Sequence, residues 1–303
     1  MNERPWPQPL QSGDRVQLAA ASSALQGEAI SRLEAGIAVL QHWGLEVCSH
    51  HNLERHWGYY AGTDQERLAD LQACAPLVAC VRGGWGSARL LEHPLMDDLL
   101  GAASSHWLLG FSDVTSLLWA RQAAGIPGGV HGPMLTTLGA EPEWSQERLR
   151  ALLFGEPLPA LKGTSWSEGQ ARGPCLVGNL TVATHLLGTP HLPELRGAIL
   201  LLEDVGEAPY RIDRMLSHWR LSGALQQVAG IGFGSFSDCE ADEEDARDPQ
   251  RSFGLNAVLQ ERCGDLGIPV IADLPFGHRC GNAAIPIGRM GHLDGTTGEL
   301  QLL

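Results

Sequence analysis

The chain has 303 residues, of which 44% are hydrophobic and 18% are charged, a composition ordinary for a globular protein. Its 35 acidic side chains outnumber the 21 lysines and arginines, and the formal net charge of −14 disfavours nucleic acid, whose phosphates it would repel. No segment approaches the roughly 20 apolar residues that span a bilayer, and residues 1–16 lack the basic and apolar regions of a signal peptide. We therefore expect a cytoplasmic protein with no membrane and no nucleic-acid partner.

Strands and helices alternate through the first half of the chain. Apolar runs predict strands at residues 15–21, 45–48, 77–81 and 106–109. Helices are predicted at 64–73, 88–100 and 114–124, and another is expected to be capped by Ser22 or Ser23 and to run to about Leu40. This alternation indicates a parallel sheet covered by helices on both faces.

The pattern changes after residue 140. Residues 141–175 mix Pro, Gly, Ser, Trp and charged residues without clear periodicity, so we expect a linker there. Shorter strands are predicted at 198–202, 231–236 and 270–272, with a helix at about 211–222 and a terminal hairpin that turns at 294–298. The sequence thus predicts an α/β domain at 1–140 and a smaller β-rich domain at 176–303.

The seven cysteines are an odd number and include no C-x-x-C pair, so a disulfide framework and a zinc site are both disfavoured. The acidic run at residues 240–248 is interpreted as a solvated loop, because its spacing matches no EF-hand calcium loop. We expect reduced thiols and no bound metal.

The first candidate site is Gly110-Phe111-Ser112-Asp113, which follows a predicted strand and leads into a helix. A serine at such a turn raises its hydroxyl into a cleft, and the N–H groups of the helix start can stabilise an oxyanion. The segment resembles a nucleophile elbow, although Val114 replaces the second glycine of that motif. The alternative is that Ser112 only caps the helix.

A glycine-rich turn, Arg82-Gly83-Gly84-Trp85-Gly86-Ser87, follows the strand at 77–81. Glycines at this place allow a ligand to approach the backbone closely. A dinucleotide fingerprint is disfavoured, because G-x-G-x-x-G requires a glycine where the chain has Arg89. A plain tight turn remains the alternative.

Two segments of the second half carry titratable groups. Glu203 and Asp204 end a predicted strand, and because successive side chains alternate, only one of them can face a given cleft. His278 follows Pro275 in a rigid Pro/Gly loop and can titrate near neutral pH. A charged strand end and a surface histidine are the alternatives, and His131 is a rival base.

The order and joint occurrence of these blocks resemble the LD-carboxypeptidases, the muramoyltetrapeptide carboxypeptidases of peptidoglycan recycling. The matching blocks span residues 81 to 278 and are VRGGWGSARLL, GFSDVTSLL, HGPM, GNLTVATHLLGTP, LLEDVGEAPYRIDRML and PVIADLPFGH. The likeness therefore covers most of the chain.

The resemblance implies that Ser112 is the nucleophile, Glu203 the triad acid and His278 the base, with no metal or organic cofactor. It also implies an α/β domain and a smaller β-rich domain with the active site between them, often in a homodimer. The oxyanion would be bound by the backbone N–H groups of Gly84 and Asp113. The substrate would be a muropeptide tetrapeptide that loses its terminal D-alanine.

Substrate-binding candidates come from the same glycine turn. Arg82 can bind a terminal carboxylate, because a guanidinium matches its geometry, and Gly83 and Trp85 are its neighbours. Trp85 stands where many relatives would have tyrosine, which leaves the exact substrate open.

Two other functions remain. The microcin-immunity peptidases resemble this chain in the same triad and cleave an amide between an aminoacyl group and a nucleotide-like moiety. Gly86 favours the carboxypeptidase, because asparagine is expected there in that group. A muropeptide-binding protein without catalysis is disfavoured by the presence of all three triad candidates.

Overall fold

The computed structural model describes residues 4–48, 53–101, 105–240 and 252–303. The chain forms two compact units. The first comprises Met1–Leu158 and Cys280–Ile287, and the second comprises Pro159–Arg279 and Gly288–Leu303.

The strands and helices of the described residues are numbered along the chain. The strands are β1 (Arg15–Ala19), β2 (Glu46–Val47), β3 (Leu77–Cys80), β4 (Trp107–Gly110), β5 (Gly129–His131), β6 (Leu161–Lys162), β7 (Thr164–Ser167), β8 (Gln170–Asn179), β9 (Ile199–Val205), β10 (Gly230–Ser237), β11 (Val270–Ala272), β12 (Ile285–Pro286), β13 (Met290–Asp294) and β14 (Glu299–Leu302). The helices are α1 (Ala29–His42), α2 (Asp64–Leu71), α3 (Pro94–Gly101), α4 (Thr115–Ala123), α5 (Leu135–Leu138), α6 (Glu143–Leu153), α7 (Leu180–Leu186), α8 (Pro209–Leu221) and α9 (Leu255–Cys263).

The first unit is built on a six-stranded sheet of order β12-β5-β4-β3-β1-β2. Its strands pair in parallel except for β12, which runs antiparallel to β5 at one edge. Every residue of β3 and β4 is buried, as expected of strands with helices on both faces of a parallel sheet. Because β3 and β4 are neighbours, the glycine turn that follows β3 and the Ser112 segment that follows β4 leave the same edge of the sheet.

The second unit is built on an eight-stranded sheet of order β6-β14-β13-β8-β9-β10-β11-β7. Its four central strands, β8 to β11, pair in parallel, and the flanking strands pair antiparallel. The β9 residues Ile199 to Asp204 are all buried, which places the Glu203 segment in the middle of this sheet. The parallel α/β unit and the smaller sheet-rich unit confirm the predicted fold class.

The expected boundaries need correction. Residues 141–175 form no linker: they contain α6, which belongs to the first unit, and β6, β7 and the first part of β8. The sequence predicts segment 280–287 in the second domain, but it belongs to the first unit, where β12 pairs with β5 and Ile285 is buried. Neither placement could be read from local composition, since both depend on pairing with distant strands.

Helix α1 begins later than expected, at Ala29 rather than after the serines. Ser22 and Ser23 are buried, and the Ser23 hydroxyl donates to the carbonyl of Gly83 at 2.8 Å instead of capping a helix. Ser23 therefore supports the glycine turn.

Three other expectations concern the whole chain. Within the described ranges, no helix is long and apolar enough to cross a bilayer. All seven cysteines lie in described parts of the chain and are free thiols. Residues 241–248 of the acidic run lie outside the described residues.

Candidate active site

Ser112 occupies the sharp turn between β4 and α4. Its φ angle of +59° lies in the left-handed region, which costs a non-glycine residue roughly 1–2 kcal/mol. Phe111 precedes the short 3₁₀ segment Ser112–Val114, and Val114 is the cap position of α4, so Ser112 is not the helix cap that the alternative required. A strained serine between a buried strand and a helix has the geometry of a nucleophile elbow.

The glycine turn lies directly against Ser112. A Cβ atom added to Gly83 would come 3.1 Å from the Cβ and 3.2 Å from the Oγ of Ser112, so only a glycine leaves this space open without displacing a neighbour. Gly84 has a φ angle of +112°, and a Cβ there would overlap the hydroxyl of Ser23. The backbone of this turn therefore passes close to the Ser112 hydroxyl, as oxyanion donors would have to do.

Asp113 and Ser87 connect the two segments through two hydrogen bonds, both donated by Ser87 and accepted by Asp113, which we call the Asp113–Ser87 clamp. The Ser87 N–H donates to the Asp113 carboxylate at 2.9 Å, and the Ser87 hydroxyl donates to the Asp113 carbonyl at 2.6 Å. The Ser116 hydroxyl shares a 2.5 Å hydrogen bond with that of Ser87. All three residues are buried, so the clamp holds the glycine turn and the Ser112 segment at a fixed spacing.

Arg82 is half-buried, and its Nη1 donates to the carbonyl of Ala24 at 2.9 Å. Burial lowers the pKa of Arg82, and the positive charge of Arg32 lowers it further. Both effects disfavour the cation, so a bound carboxylate near Arg82 would stabilise it.

In the second unit, Glu203 on β9 contacts His278 in the loop after β11. The Nδ1 atom of His278 and the Oε2 atom of Glu203 are 2.5 Å apart, and the Glu203 side chain is fully buried. Gly277 makes this contact possible: it has a φ angle of +111°, and a Cβ there would lie 3.0 Å from Glu203 Oε2. The loop thus delivers the imidazole directly onto the carboxylate.

The environment of His278 favours its protonated form. Burial by itself lowers the pKa of His278, but the hydrogen bond and the charge of Glu203, helped by the charge of Asp204, outweigh burial. The net pKa is raised above the ordinary value of 6.5. An imidazole in such a pair can take up a proton and be stabilised by the carboxylate while it is charged.

The Asp204 side chain has different hydrogen-bond partners from Glu203, as the alternation of side chains along a strand predicts. Its carboxylate accepts hydrogen bonds from the Asn179 side chain and from the N–H and hydroxyl of Thr181 at the start of α7. Burial raises the pKa of Asp204, although these hydrogen bonds act against the rise. Of the two adjacent acids, only Glu203 has His278 as its hydrogen-bond partner.

The rival base, His131, ends β5 and is fully buried, with its ring 5.7 Å from that of Phe111. In the described residues, no group of three or more His, Cys, Asp and Glu side chains could hold a metal ion.

The roles of Ser87 and Gly277 could not be predicted from the local sequence. Their partners, Asp113 and Glu203, are 26 and 74 positions away in the chain.

Comparison with known proteins gives a consistent result. Residues 16–132 match the sequence profile described as the LD-carboxypeptidase N-terminal domain, and residues 172–293 match that of the LD-carboxypeptidase C-terminal domain. The chain is 49% identical to a Synechocystis protein named as a carboxypeptidase by inference, over 98% of this chain and 97% of that one. It is 36% identical to the murein tetrapeptide carboxypeptidase of Pseudomonas aeruginosa, over 93% of each chain.

Solved structures agree. A muramoyltetrapeptide carboxypeptidase from Oxalobacter formigenes superposes with a TM-score of 0.81 at 27% identity, covering 95% of this chain and 97% of that one. The microcin C7 self-immunity protein MccF of Escherichia coli is 25% identical in sequence over 92% of this chain and 90% of its own, and the solved structure of wild-type apo MccF has the same fold, with a TM-score of 0.84 at 21% identity and 98% of each chain covered.

Proposed function

Because the chain belongs to the LD-carboxypeptidase family, we propose that it is a serine carboxypeptidase that releases the terminal D-alanine of L,D-tetrapeptide muropeptides during peptidoglycan recycling in the cytoplasm. The observation that carries the proposal is the hydrogen bond between the buried Glu203 and His278 Nδ1. This hydrogen bond fixes the orientation of the imidazole. The other ring nitrogen, Nε2, then faces away from Glu203, on the side where a nucleophile would be deprotonated.

Ser112 is the proposed nucleophile. In the working enzyme its hydroxyl must come within about 3 Å of His278 Nε2. The Oγ atom attacks the carbonyl carbon of the bond to D-alanine while its proton passes to Nε2. The carbon–nitrogen bond then breaks, and the same proton passes to the leaving amine. Water repeats these steps on the acyl-enzyme and restores Ser112.

The negative charge of the tetrahedral intermediate requires donors that are already in place. We assign this role to the backbone N–H groups of Gly84 and Asp113, each worth about 3 kcal/mol of barrier. The close packing of Gly83 on Ser112 and the Asp113–Ser87 clamp support the assignment, since both hold the two segments together.

Arg82 is the proposed partner of the terminal carboxylate of the substrate. It lies next to Gly83 in the chain, and its depressed pKa reflects burial and the repulsion of Arg32, which an anion would relieve. His131 is not chosen as the base, because its fully buried ring packs against Phe111 while His278 has a carboxylate partner.

The alternative function is that of the microcin-immunity peptidases, and the likeness to MccF is the observation that favours it. The two functions differ in the group on the leaving side of the amide. Gly86 supports the muropeptide function, because asparagine is expected at this position in the microcin-immunity group and the ring of Tyr60 leaves no space for a side chain there.

Three substrates decide between these functions. We expect D-alanine release from an L,D-tetrapeptide, and much slower release of L-alanine from the epimer, because inversion exchanges the directions of the methyl and carboxylate groups. The third substrate is an aminoacyl-sulfamoyl nucleotide. Equal rates on both epimers would contradict the specificity proposed here, and preference for the nucleotide conjugate would establish the alternative.

A further inference from the structure

Four aromatic side chains next to the glycine turn form an exposed surface that the proposed chemistry does not use. They are Trp57, Tyr59, Tyr60 and Trp85, which we call the aromatic ledge. Ring centroids are separated by 6.1 Å from Trp57 to Tyr60, 4.4 Å from Tyr60 to Tyr59 and 6.2 Å from Tyr59 to Trp85. Trp57, Tyr59 and Trp85 are 47%, 60% and 55% exposed. Contiguous exposed aromatic side chains of this kind mark a binding surface more often than chance solvent exposure does.

A buried cation fixes the ledge to the glycine turn. The Arg67 guanidinium lies 4.5 Å from the centre of the Tyr60 ring and is itself fully buried. Its Nη1 atom donates to the carbonyl of Gly86 at 2.8 Å, and its Nη2 atom forms a 2.6 Å ion pair with Asp64. One arginine therefore holds both a ledge ring and the backbone of the turn.

A second cation holds the far end of the ledge. The Arg89 guanidinium lies 5.4 Å from the centre of the Trp57 ring and 5.8 Å from that of Tyr60. Its Nε atom is 2.9 Å from the Asp64 carboxylate that also binds Arg67. Rings restrained in this way lose little entropy when they bind a ligand.

Gly86 is the point where the ledge and the turn touch. It has a φ angle of +106°, and a Cβ at this position would overlap the Tyr60 ring. The tyrosine ring can pack there only because residue 86 has no side chain. The ledge is therefore continuous with the turn whose other end lies against Ser112.

We propose that the aromatic ledge binds the sugar ring of the substrate, an inference that rests on the muropeptide function proposed above. Adjacent rings of the ledge meet at 36°, 61° and 73°, so no two of them offer the parallel faces that would sandwich a planar base. A pyranose instead places the weakly positive C–H groups of one face on the negative face of a single aromatic ring. The ledge matches that requirement.

The spacing fits a tetrapeptide stem. Three residues separate the scissile bond from the sugar, a span of roughly 10 Å for extended chain. Trp85 lies two residues beyond Gly83, hence within about 8 Å of it, and the ring centroids of Tyr59, Tyr60 and Trp57 follow that of Trp85 in steps of 6.2, 4.4 and 6.1 Å. A substrate whose scissile bond lies at Ser112 can therefore reach the ledge with its sugar.

The test compares two substrates, the free tetrapeptide and the same tetrapeptide bearing an N-acetylmuramoyl group. For the wild-type enzyme we expect the KM of the sugar-bearing substrate to be about tenfold lower, as one ring contact allows. Tyr59→Ala, which removes the most exposed ring of the ledge, is expected to reduce this ratio to about twofold or less. Tyr59→Phe keeps the ring and should keep the ratio.

Phe253→Ala is the matched control, because Phe253 is 63% exposed but belongs to the second unit, and it should leave the ratio unchanged. Equal KM values for the two wild-type substrates would overturn the proposal, as would an equal loss on both substrates in Tyr59→Ala, which would mean that the ring only supports the turn.

A binding titration separates this proposal from the proposed function. We expect N-acetylmuramic acid to quench the tryptophan fluorescence of the Ser112→Ala protein saturably, and to do so much more weakly when Tyr59→Ala is added. If the wild-type enzyme released no D-alanine from either peptide, the catalytic proposal would fail. The titration by itself would then show whether the aromatic ledge binds the sugar. Absence of saturable quenching would overturn the ledge even in an active enzyme.

Discussion

Glu203 and His278 share a hydrogen bond of 2.5 Å, so the charge of the buried carboxylate controls the proton affinity of the imidazole. The Asp113–Ser87 clamp has an equally local role in the first unit, where it connects the proposed nucleophile segment to the glycine turn. Two hydrogen-bonded pairs thus position the proposed catalytic groups, and each pair can be tested by itself.

The first prediction concerns pH. His278 must be neutral to accept a proton, and its pKa is raised because the hydrogen bond and charge of Glu203 outweigh burial. The acidic limb of kcat/KM against pH should therefore have its midpoint above about 6.5. Glu203→Gln removes the charge while burial still acts, so the midpoint should move to lower pH as the rate falls. An unchanged midpoint in Glu203→Gln would contradict the assignment of His278 as the base.

The second prediction concerns the Asp113–Ser87 clamp. Asp113→Ala leaves the buried Ser87 N–H without its acceptor and frees the turn, so kcat should fall about 100-fold while KM changes little. Asp113→Asn keeps an acceptor oxygen and should lose less than about tenfold. Steady-state kinetics of both variants, with their unfolding midpoints as a control, give the answer. Equal losses of kcat in the alanine and asparagine variants would show that the hydrogen bond does not position the turn.

Some of these residues could be named from the sequence and others could not. Ser112, Glu203 and His278 each follow a recognisable strand or stand in a rigid loop, and chemistry at such places follows from residue type. Ser87 and Arg67 gave no signal, because a serine in a turn and an arginine in an amphipathic helix are ordinary. Their importance arises from the pairing of β3 with β4 and from burial, which only the folded chain reveals.

At the scale of elements, the loop between β11 and β12 carries the proposed base, and one glycine controls its path. Gly277 has a φ angle of +111°, and a Cβ there would crowd Glu203 and the Ser235 hydroxyl. The loop therefore has no room for a side chain at the residue before His278.

The third prediction follows from this crowding. Gly277→Ala should lower kcat by at least about 100-fold, because mispositioning a catalytic group costs rate steeply. Gly188→Ala is the matched control: Gly188 has a φ angle of +81°, but nothing lies within 4 Å of the Cβ position. It should lose roughly 1 kcal/mol of stability from backbone strain and little activity. Kinetics and thermal unfolding of both proteins test this, and similar activity losses would mean that strain alone explains the effect.

The elements themselves were predictable where their pattern is local. The buried strands β3 and β4 are continuous apolar runs, and β9 begins with four apolar residues, which is what a covered parallel sheet requires. Strand β8 was missed, because Gly173 and Pro174 interrupt its pattern. Residues 170–174 pair with β13 and residues 175–179 pair with β9, so Pro174 lies where the partner strand changes, and this pairing is not visible in the local sequence.

At the scale of the whole molecule, the proposed triad is divided between two units. Ser112 belongs to the first, and Glu203 and His278 belong to the second. The oxyanion and carboxylate candidates all accompany Ser112, while the second unit supplies the acid–base pair. A homodimer remains a prediction from the family resemblance.

The chain order of the proposed triad is more informative than any of its single motifs. Serine, glutamate and histidine stand at positions 112, 203 and 278, and each local pattern has a common structural explanation. Only their succession over most of the chain singled out one family, and the profile matches at residues 16–132 and 172–293 confirm it.

The most direct test of the central claim is mass spectrometry of a tetrapeptide muropeptide incubated with wild-type protein, Ser112→Ala and, as a matched serine control, the surface variant Ser31→Ala. We predict loss of one D-alanine with the wild type and with Ser31→Ala, and a rate lower by roughly 10⁴-fold or more with a folded Ser112→Ala protein. Near-normal release of D-alanine by a folded Ser112→Ala protein would contradict the assignment of Ser112 as the nucleophile.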